Sequence, residues 1–181
     1  NARLNLGNPK IIRWNYASTK ITDEYLAMSY FKEKNLKITV VRLFNTVGKG
    51  QSKQYGMVIP RFYFQAIKNK PITVYGNGKQ SRTFTYVKDV VHSLLKISLS
   101  TNSYGQVINV GGANKTTIIS LAKKIKKITN SKSKIKFIPL KKVYGDGFED
   151  CKQRIPSVKK LEKIIKYIPS TKLNTILKEI K

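Results

Sequence analysis

The 181-residue chain carries 36 Lys and Arg against 9 Asp and Glu, a formal charge of +27. Its single cysteine, Cys151, excludes an internal disulfide and fits a reducing, cytoplasmic setting; its single histidine, His92, argues against a metal cluster or a Ser-His-Asp triad. No apolar run approaches the ~20 residues of a membrane span, no signal-peptide pattern is present, and a start at Asn1 without Met reads as a fragment or a processed piece.

Residues 1–13 read as a loop broken by Gly7, Asn8 and Pro9. A helix over about 14–34 follows, with Ala17, Ile21, Tyr25 and Met28 at helical steps and Asn35 as its stop. Lys37 to Phe44, rich in Val and Ile, reads as a buried strand, and the Gly-containing stretch 45–56 as a loop. Met57 to Asn69 is expected as a helix with Pro60 in its first turn. Pro71 to Tyr75 and Arg82 to Tyr86 read as short strands on either side of a Gly76-Asn77-Gly78 turn. A helix over 87–98 carries Asp89 near its N-terminus, where the helix dipole favours an anion. Gln106 to Val110 is a strand, and Thr116 or Thr117 caps a helix running to Thr129. A strand over 134–139, a loop over 140–157 and two short helices near 157–166 and 171–180 complete the chain. Alternating helices and strands place it in the α/β class.

Only six of the basic residues are arginines, and eighteen of the lysines lie in 115–181, as in Lys123-Lys124-Ile125-Lys126-Lys127. Arginine is the usual reader of bases and phosphates. The pattern therefore reads as a solvated face rather than a specific nucleic-acid surface, with weak polyanion binding following from charge alone.

The candidate chemistry begins at Arg13-Trp14-Asn15-Tyr16-Ala17-Ser18-Thr19-Lys20. Residues four apart share a helix face. An ammonium beside a phenol favours the phenolate, which can then take a proton from a sugar hydroxyl. Tyr-x-x-x-Lys occurs three times, at Tyr16/Lys20, Tyr30/Lys34 and Tyr75/Lys79. Only the first opens a helix followed by a β-run ending in Arg42-Leu43-Phe44-Asn45, at the edge where open α/β sheets bind ligands. Gly76-x-Gly78-x-x-Ser81 and Gly145-x-Gly147-x-x-Asp150 read as turns, because neither opens a helix directly after a strand.

Taken in order, Tyr16-x-x-x-Lys20, Val41 to Gly48, Tyr55 to Phe62, Pro71 to Gly78, Arg82 to Val90, Val107 to Gly111 and Gly145 to Asp150 resemble the C-terminal part of an extended short-chain dehydrogenase/reductase of the NAD-dependent nucleotide-sugar epimerase/dehydratase family. The resemblance covers nearly the whole chain. It implies the C-terminal portion of a Rossmann-type doubly wound sheet plus a small mixed α/β substrate-binding subdomain, with the N-terminal βαβ units missing. Residues 1–56, with 87–112, would be the remainder of the NAD-binding domain; 57–181 would mainly form the substrate subdomain.

By the same resemblance Tyr16 is the general base, and Lys20 tunes it and holds the nicotinamide ribose. Phe44, Asn45, Thr46 and Val47 line the nicotinamide end, and Asn45 also faces the diphosphate-sugar. Gly56, Met57 and Val58, continuing to Pro60, and Thr73, Val74 and Tyr75 surround the base, largely through backbone groups. Arg82 meets the diphosphate, while Asp150 and Arg154 lie near it or the ribose hydroxyls. The reaction implied is 4-epimerisation of a UDP-sugar. Arg154-Ile155-Pro156-Ser157 stands where many relatives have Arg-x-Pro-Asp, is similar to the UDP-glucuronic acid decarboxylase branch, and makes decarboxylation the alternative. A noncatalytic nucleotide-sugar or polyanion-binding module is the alternative of another class. Expected partners are the UDP-sugar, a second copy through the 16–34 helix, and a chain supplying the N-terminal half if the protein is naturally split. The 181 residues alone are expected to be inactive.

Overall fold

The computed structural model describes residues 6–11, 13–52, 57–112, 114–145, 148 and 151–180. Asparagine stops three of its helices. Asn35, Asn69 and Asn130 adopt φ of 52°, 50° and 49° just beyond α1 (Arg13–Lys34), α2 (Val58–Ile67) and α4 (Ile118–Ile128). Asparagine enters this left-handed region more readily than most residues. At the other end of α4, Thr117 accepts a hydrogen bond from the backbone N–H of Ser120, as the sequence predicts for one of the two threonines.

The strands are short and mostly parallel. β1 (Val40–Leu43) pairs with β6 (Val107–Val110), β2 (Thr46–Val47) with β5 (Thr85–Tyr86), and β3 (Ile72–Tyr75) with β8 (Ile135–Ile138), all in parallel. β4 (Ser81–Thr83) lies between antiparallel β7 (Lys115–Thr117) and parallel β9 (Gln153–Arg154). Helix α3 (Val87–Ser98) follows β5 directly, and α6 (Lys159–Ile165) and α7 (Leu173–Glu179) end the chain.

Two apolar clusters hold these elements. The larger gathers Ile59, Phe62 and Ala66 of α2, Ile72 and Val74 of β3, Leu121 and Ile125 of α4, and Ile176 and Leu177 of α7. The smaller joins Val90 and Ile97 of α3, Ile108 and Val110 of β6, and Leu161 and Ile165 of α6. Each fully buried side chain of this size contributes about 1.5–3 kcal/mol. Polar ties fix the periphery: Tyr63 donates to the carbonyl of Leu177 at 2.6 Å, and the Asp89 carboxylate accepts from the Tyr167 hydroxyl and from the N–H and hydroxyl of Thr171. Asp89 thus tethers the segment between α6 and α7 as well as sitting in the first turn of α3.

The lysines of α4 lie on its exposed and half-exposed side, opposite buried Leu121, Ala122 and Ile125. Helix α1 is more solvated than its apolar spacing predicts: Ala17, Ile21 and Met28 are half-buried, whereas Tyr25 is exposed. Its C-terminal part rests on Gly105, where φ is 68° and an added Cβ would lie 2.3 Å from the Phe31 ring. The stretch 140–157, read as a loop, holds α5 (Leu140–Tyr144) and β9. Pro139 opens α5, Leu140 packs on the Gly76 turn, and β9 exists only through its pairing with β4, which no local pattern announces.

Candidate functional site

The carboxyl ends of β1 and β6 converge on the site. Beyond them the Phe44 N–H donates to Val110 O, and the Thr85 hydroxyl donates to Phe44 O. Asn45 turns the chain there with φ of 35°, an unusual conformation for a non-glycine residue and one that clusters at functional sites. Its Nδ2 donates to Thr83 O at 2.7 Å, and its carbonyl accepts from Thr85 N–H at 3.1 Å. Asn45 is therefore fixed between the parallel sheet and β4–β5.

A cleft runs past it in two connected halves. One is lined by Tyr16, Leu43, Thr46, Val47 and Gln51; the other by Arg61, Tyr75, Arg82, Tyr144 and Phe148. Asn45, Met57, Val58, Phe84 and Arg154 border both, so the groove is continuous. The halves measure about 370 and 280 Å³, the scale of pockets that take small organic ligands.

At the first end Tyr16 is 71% exposed in the opening turn of α1. Lys20 shares its face, with Nζ 5.9 Å from the ring centroid, but the ammonium donates to Asp23 at 2.9 Å. That bond and the Asp23 charge hold the Lys20 pKa above its ordinary value. Lys20 is thus engaged by a carboxylate three residues on, outside the Tyr-x-x-x-Lys pattern. Two buried polar atoms bordering this half, Thr46 Oγ1 and Gln51 Oε1, have no hydrogen-bond partner among the described residues. A ligand offering donors there would satisfy them.

In the middle, parallel pairing sets Arg82 beside Arg154. Arg82 Nη1 is held by the carbonyls of Ser81 and Cys151 at 2.8 and 2.7 Å. Two guanidinium side chains on facing positions form a group that can hold an anionic ligand.

At the far end the Arg61 guanidinium lies over the Tyr75 ring, 3.7 Å from its centroid, and Tyr144 stacks on Phe148 at 4.0 Å. Burial, the dominant influence, lowers the Arg61 pKa. Its Nε and Nη1 are buried without a partner among the described residues. No role is assigned to Arg61 on sequence grounds, yet a signal exists: it is the one charged residue in Val58–Ile67.

Of the remaining expected residues, Met57 and Val58 line the cleft, and Gly56 and Asp150 lie outside the described residues. Val74 is fully buried in the core, and Thr73 is tied to Gln65 through its N–H and hydroxyl, so of Thr73 to Tyr75 only Tyr75 borders the cleft. β3 is otherwise committed to β8 through its pairing and to α2 through Gln65. Phe44 borders neither half, its side chain lying instead against Gly111.

A family model described as the NAD dependent epimerase/dehydratase family matches residues 5–111. The chain is 38% identical over 169 residues to a UDP-N-acetyl-alpha-D-glucosaminuronate decarboxylase of Bacillus cytotoxicus, covering 93% of this chain and 52% of that one. It is 32% identical to UDP-glucuronic acid decarboxylase 1 of Danio rerio, covering 90% of this chain and 37% of that one. Among solved structures, UDP-glucuronic acid 4-epimerase from Bacillus cereus in complex with NAD superposes with a TM-score of 0.78 at 27% identity, covering 91% of this chain and 50% of that one. An epimerase from Methanothermobacter thermautotrophicus superposes with a TM-score of 0.85 at 23% identity, covering 98% and 50%, a likeness of fold. The chain thus spans about half the length, or less, of the proteins it matches.

Proposed function

The chain belongs to the NAD dependent epimerase/dehydratase family, and from that premise we propose that its cleft binds a UDP-sugar and oxidises it at C4. The observation that carries the reading is the order of groups along one groove: a Tyr at one end, two paired arginines in the middle, and an aromatic cluster at the other end. That order matches sugar, diphosphate and base. On this reading residues 1–56, with 87–112, form the cofactor side, and 57–181 mainly the substrate side. The Tyr16 half fits the nicotinamide end of NAD, because Thr46 Oγ1 and Gln51 Oε1, without partners among the described residues, suit a carboxamide's N–H donors. NAD, when bound, supplies the acceptor for the C4 hydride.

Tyr16 takes the proton of the 4-hydroxyl as the ketone forms. Lys20, once released from Asp23, holds the phenolate and the ribose. Arg82 and Arg154 bind the diphosphate, and Arg154, bordering both halves, also reaches towards a sugar carboxylate. With a uronic acid as the sugar, the C4 ketone is β to the C6 carboxylate. Loss of carbon dioxide then leaves an electron pair at C5 that the ketone delocalises; C5 takes a proton, and Tyr16 returns its proton to O4 when the ketone is reduced. Arg154-Ile155-Pro156-Ser157 and the decarboxylases among the relatives favour this outcome. The likeness to UDP-glucuronic acid 4-epimerase supports the second reading, in which the ketone is reduced on its opposite face.

The same reading puts a homodimer contact on α1, where Tyr25, Leu26 and Tyr30 are exposed. Turnover needs the rest of the cofactor site, from the same polypeptide or a partner. Proton NMR of UDP-glucuronic acid with NAD and an enzyme containing this chain and that remainder tests the proposal: a UDP-pentose is expected, UDP-galacturonic acid would favour epimerisation, and an unchanged substrate would refute both.

A further inference from the structure

At the far end of the cleft a cation has no anion among the described residues. Arg61 comes from the first turns of α2, directly after Pro60, in a helix whose neighbouring side chains Ile59, Phe62 and Tyr63 are buried in the core. The core therefore fixes where its side chain emerges. The guanidinium is stacked 3.7 Å from the Tyr75 centroid and 5.3 Å from that of Phe62. Within the described residues it forms no ion pair, and Nε and Nη1 are buried without acceptors. A half-buried guanidinium with idle donors is costly to the unliganded protein, and such groups persist where a ligand completes them. Burial lowers the Arg61 pKa, consistent with a desolvated cation.

What would complete it follows from its place. Arg82 and Arg154 lie side by side nearer the middle of the groove, suited to a diphosphate; Arg61 lies with Tyr75, Tyr144 and Phe148, whose faces suit a planar base. A pyrimidine nucleotide entering with its phosphates on Arg82 and Arg154 carries its position 4 furthest from the ribose. In uracil and thymine position 4 is a carbonyl oxygen, an acceptor; in cytosine it is an amine, a donor. Arginine has donors only.

Resting on the UDP-sugar reading above, we infer that Arg61 is the specificity-determining residue for the base, accepting pyrimidines with a 4-keto group and rejecting those with a 4-amino group. A site built around a hydrogen bond discriminates strongly against a ligand that cannot make it, because the site's own polar group is left unpaired.

Isothermal titration of the chain with UDP, CDP and inorganic pyrophosphate tests this, repeated on Arg61→Leu and Arg61→Lys. UDP is expected to bind at least about tenfold more tightly than CDP, equivalent to about 1.4 kcal/mol. In Arg61→Leu the two nucleotides should bind alike, with pyrophosphate unchanged. Arg61→Lys keeps the charge but loses the planar fork, and should lose most of the preference. Arg61→Leu should melt no lower than the natural chain; if it does not fold, Arg61→Lys alone decides. Equal weakening of UDP, CDP and pyrophosphate would make Arg61 a phosphate clamp and overturn the inference while leaving the UDP-sugar reading intact. A natural chain that binds UDP no better than pyrophosphate would overturn both.

Discussion

Arg42 grips Glu24 through two hydrogen bonds, Nε to Oε1 at 2.6 Å and Nη2 to Oε2 at 2.5 Å, and so ties the middle of α1 to β1. The pair lies at the rim, with Glu24 the better covered of the two at 17% side-chain exposure against 37%. A forked guanidinium–carboxylate contact has a fixed geometry as well as a charge. Here it joins the helix that carries Tyr16 to the strand that leads to Asn45. Replacing Glu24 by Ala is expected to lower stability by about 1–2 kcal/mol in urea unfolding and to speed amide exchange in α1 more than in α2 or α4. Uniform exchange changes would show that the pair does not anchor the helix.

Tyr16 is exposed and donates no hydrogen bond to a described residue, so Tyr16→Phe should leave the melting temperature unchanged. In a complete enzyme the same change should lower kcat by about 100-fold or more, the usual contribution of a positioned acid–base group. Retained turnover would remove Tyr16 from the role of base.

Asp23 holds Lys20, the residue proposed to serve Tyr16 and the cofactor. Because the Asp23 bond raises the Lys20 pKa, Asp23→Asn should bring it down. The freed ammonium then serves the phenolate, and the rising limb of the pH–rate profile should move to lower pH. An unmoved limb would show that Lys20 leaves Asp23 at no cost when ligands bind.

The tether at Asp89 gives a pH signature. Burial first, then the Asp89 charge and hydrogen bond, push the Tyr167 phenol up to about 12. An unfolded tyrosine titrates near 10, so the native state holds this proton the more tightly. Its contribution is complete below pH ~10 and is lost as pH rises towards 12. The gap in melting temperature between the natural chain and Tyr167→Phe should therefore be widest at neutral pH and close over that alkaline window. A gap independent of pH would contradict the assignment.

Much of this was legible in the residues. Asn35 and Thr117 mark helix ends by local chemistry, and the predicted helix over 87–98 coincides with α3. Arg-Leu-Phe-Asn led to the strand end where Asn45 turns the chain. What stayed hidden depends on contacts distant in sequence. β9 is two residues long and held by β4, and the placing of Arg154 beside Arg82 follows only from that pairing. Thr73 and Val74 share a strand with Tyr75, but Gln65 and the core claim them. Arg61 has no local signature beyond its charge, because its setting arises from Tyr75, which the packing of α2 and β3 brings to it.

One groove, from Tyr16 to Tyr75, is proposed to receive a nucleotide sugar. Nitrogen–proton correlation spectra of the 181-residue chain, titrated with UDP-glucuronic acid, test it most directly. The amides of Asn45, Thr46, Val58, Arg61, Tyr75, Arg82 and Arg154 should shift together along one saturable curve. Shifts confined to the lysine face of α4, fading with added salt, would mark a polyanion surface instead and contradict the account.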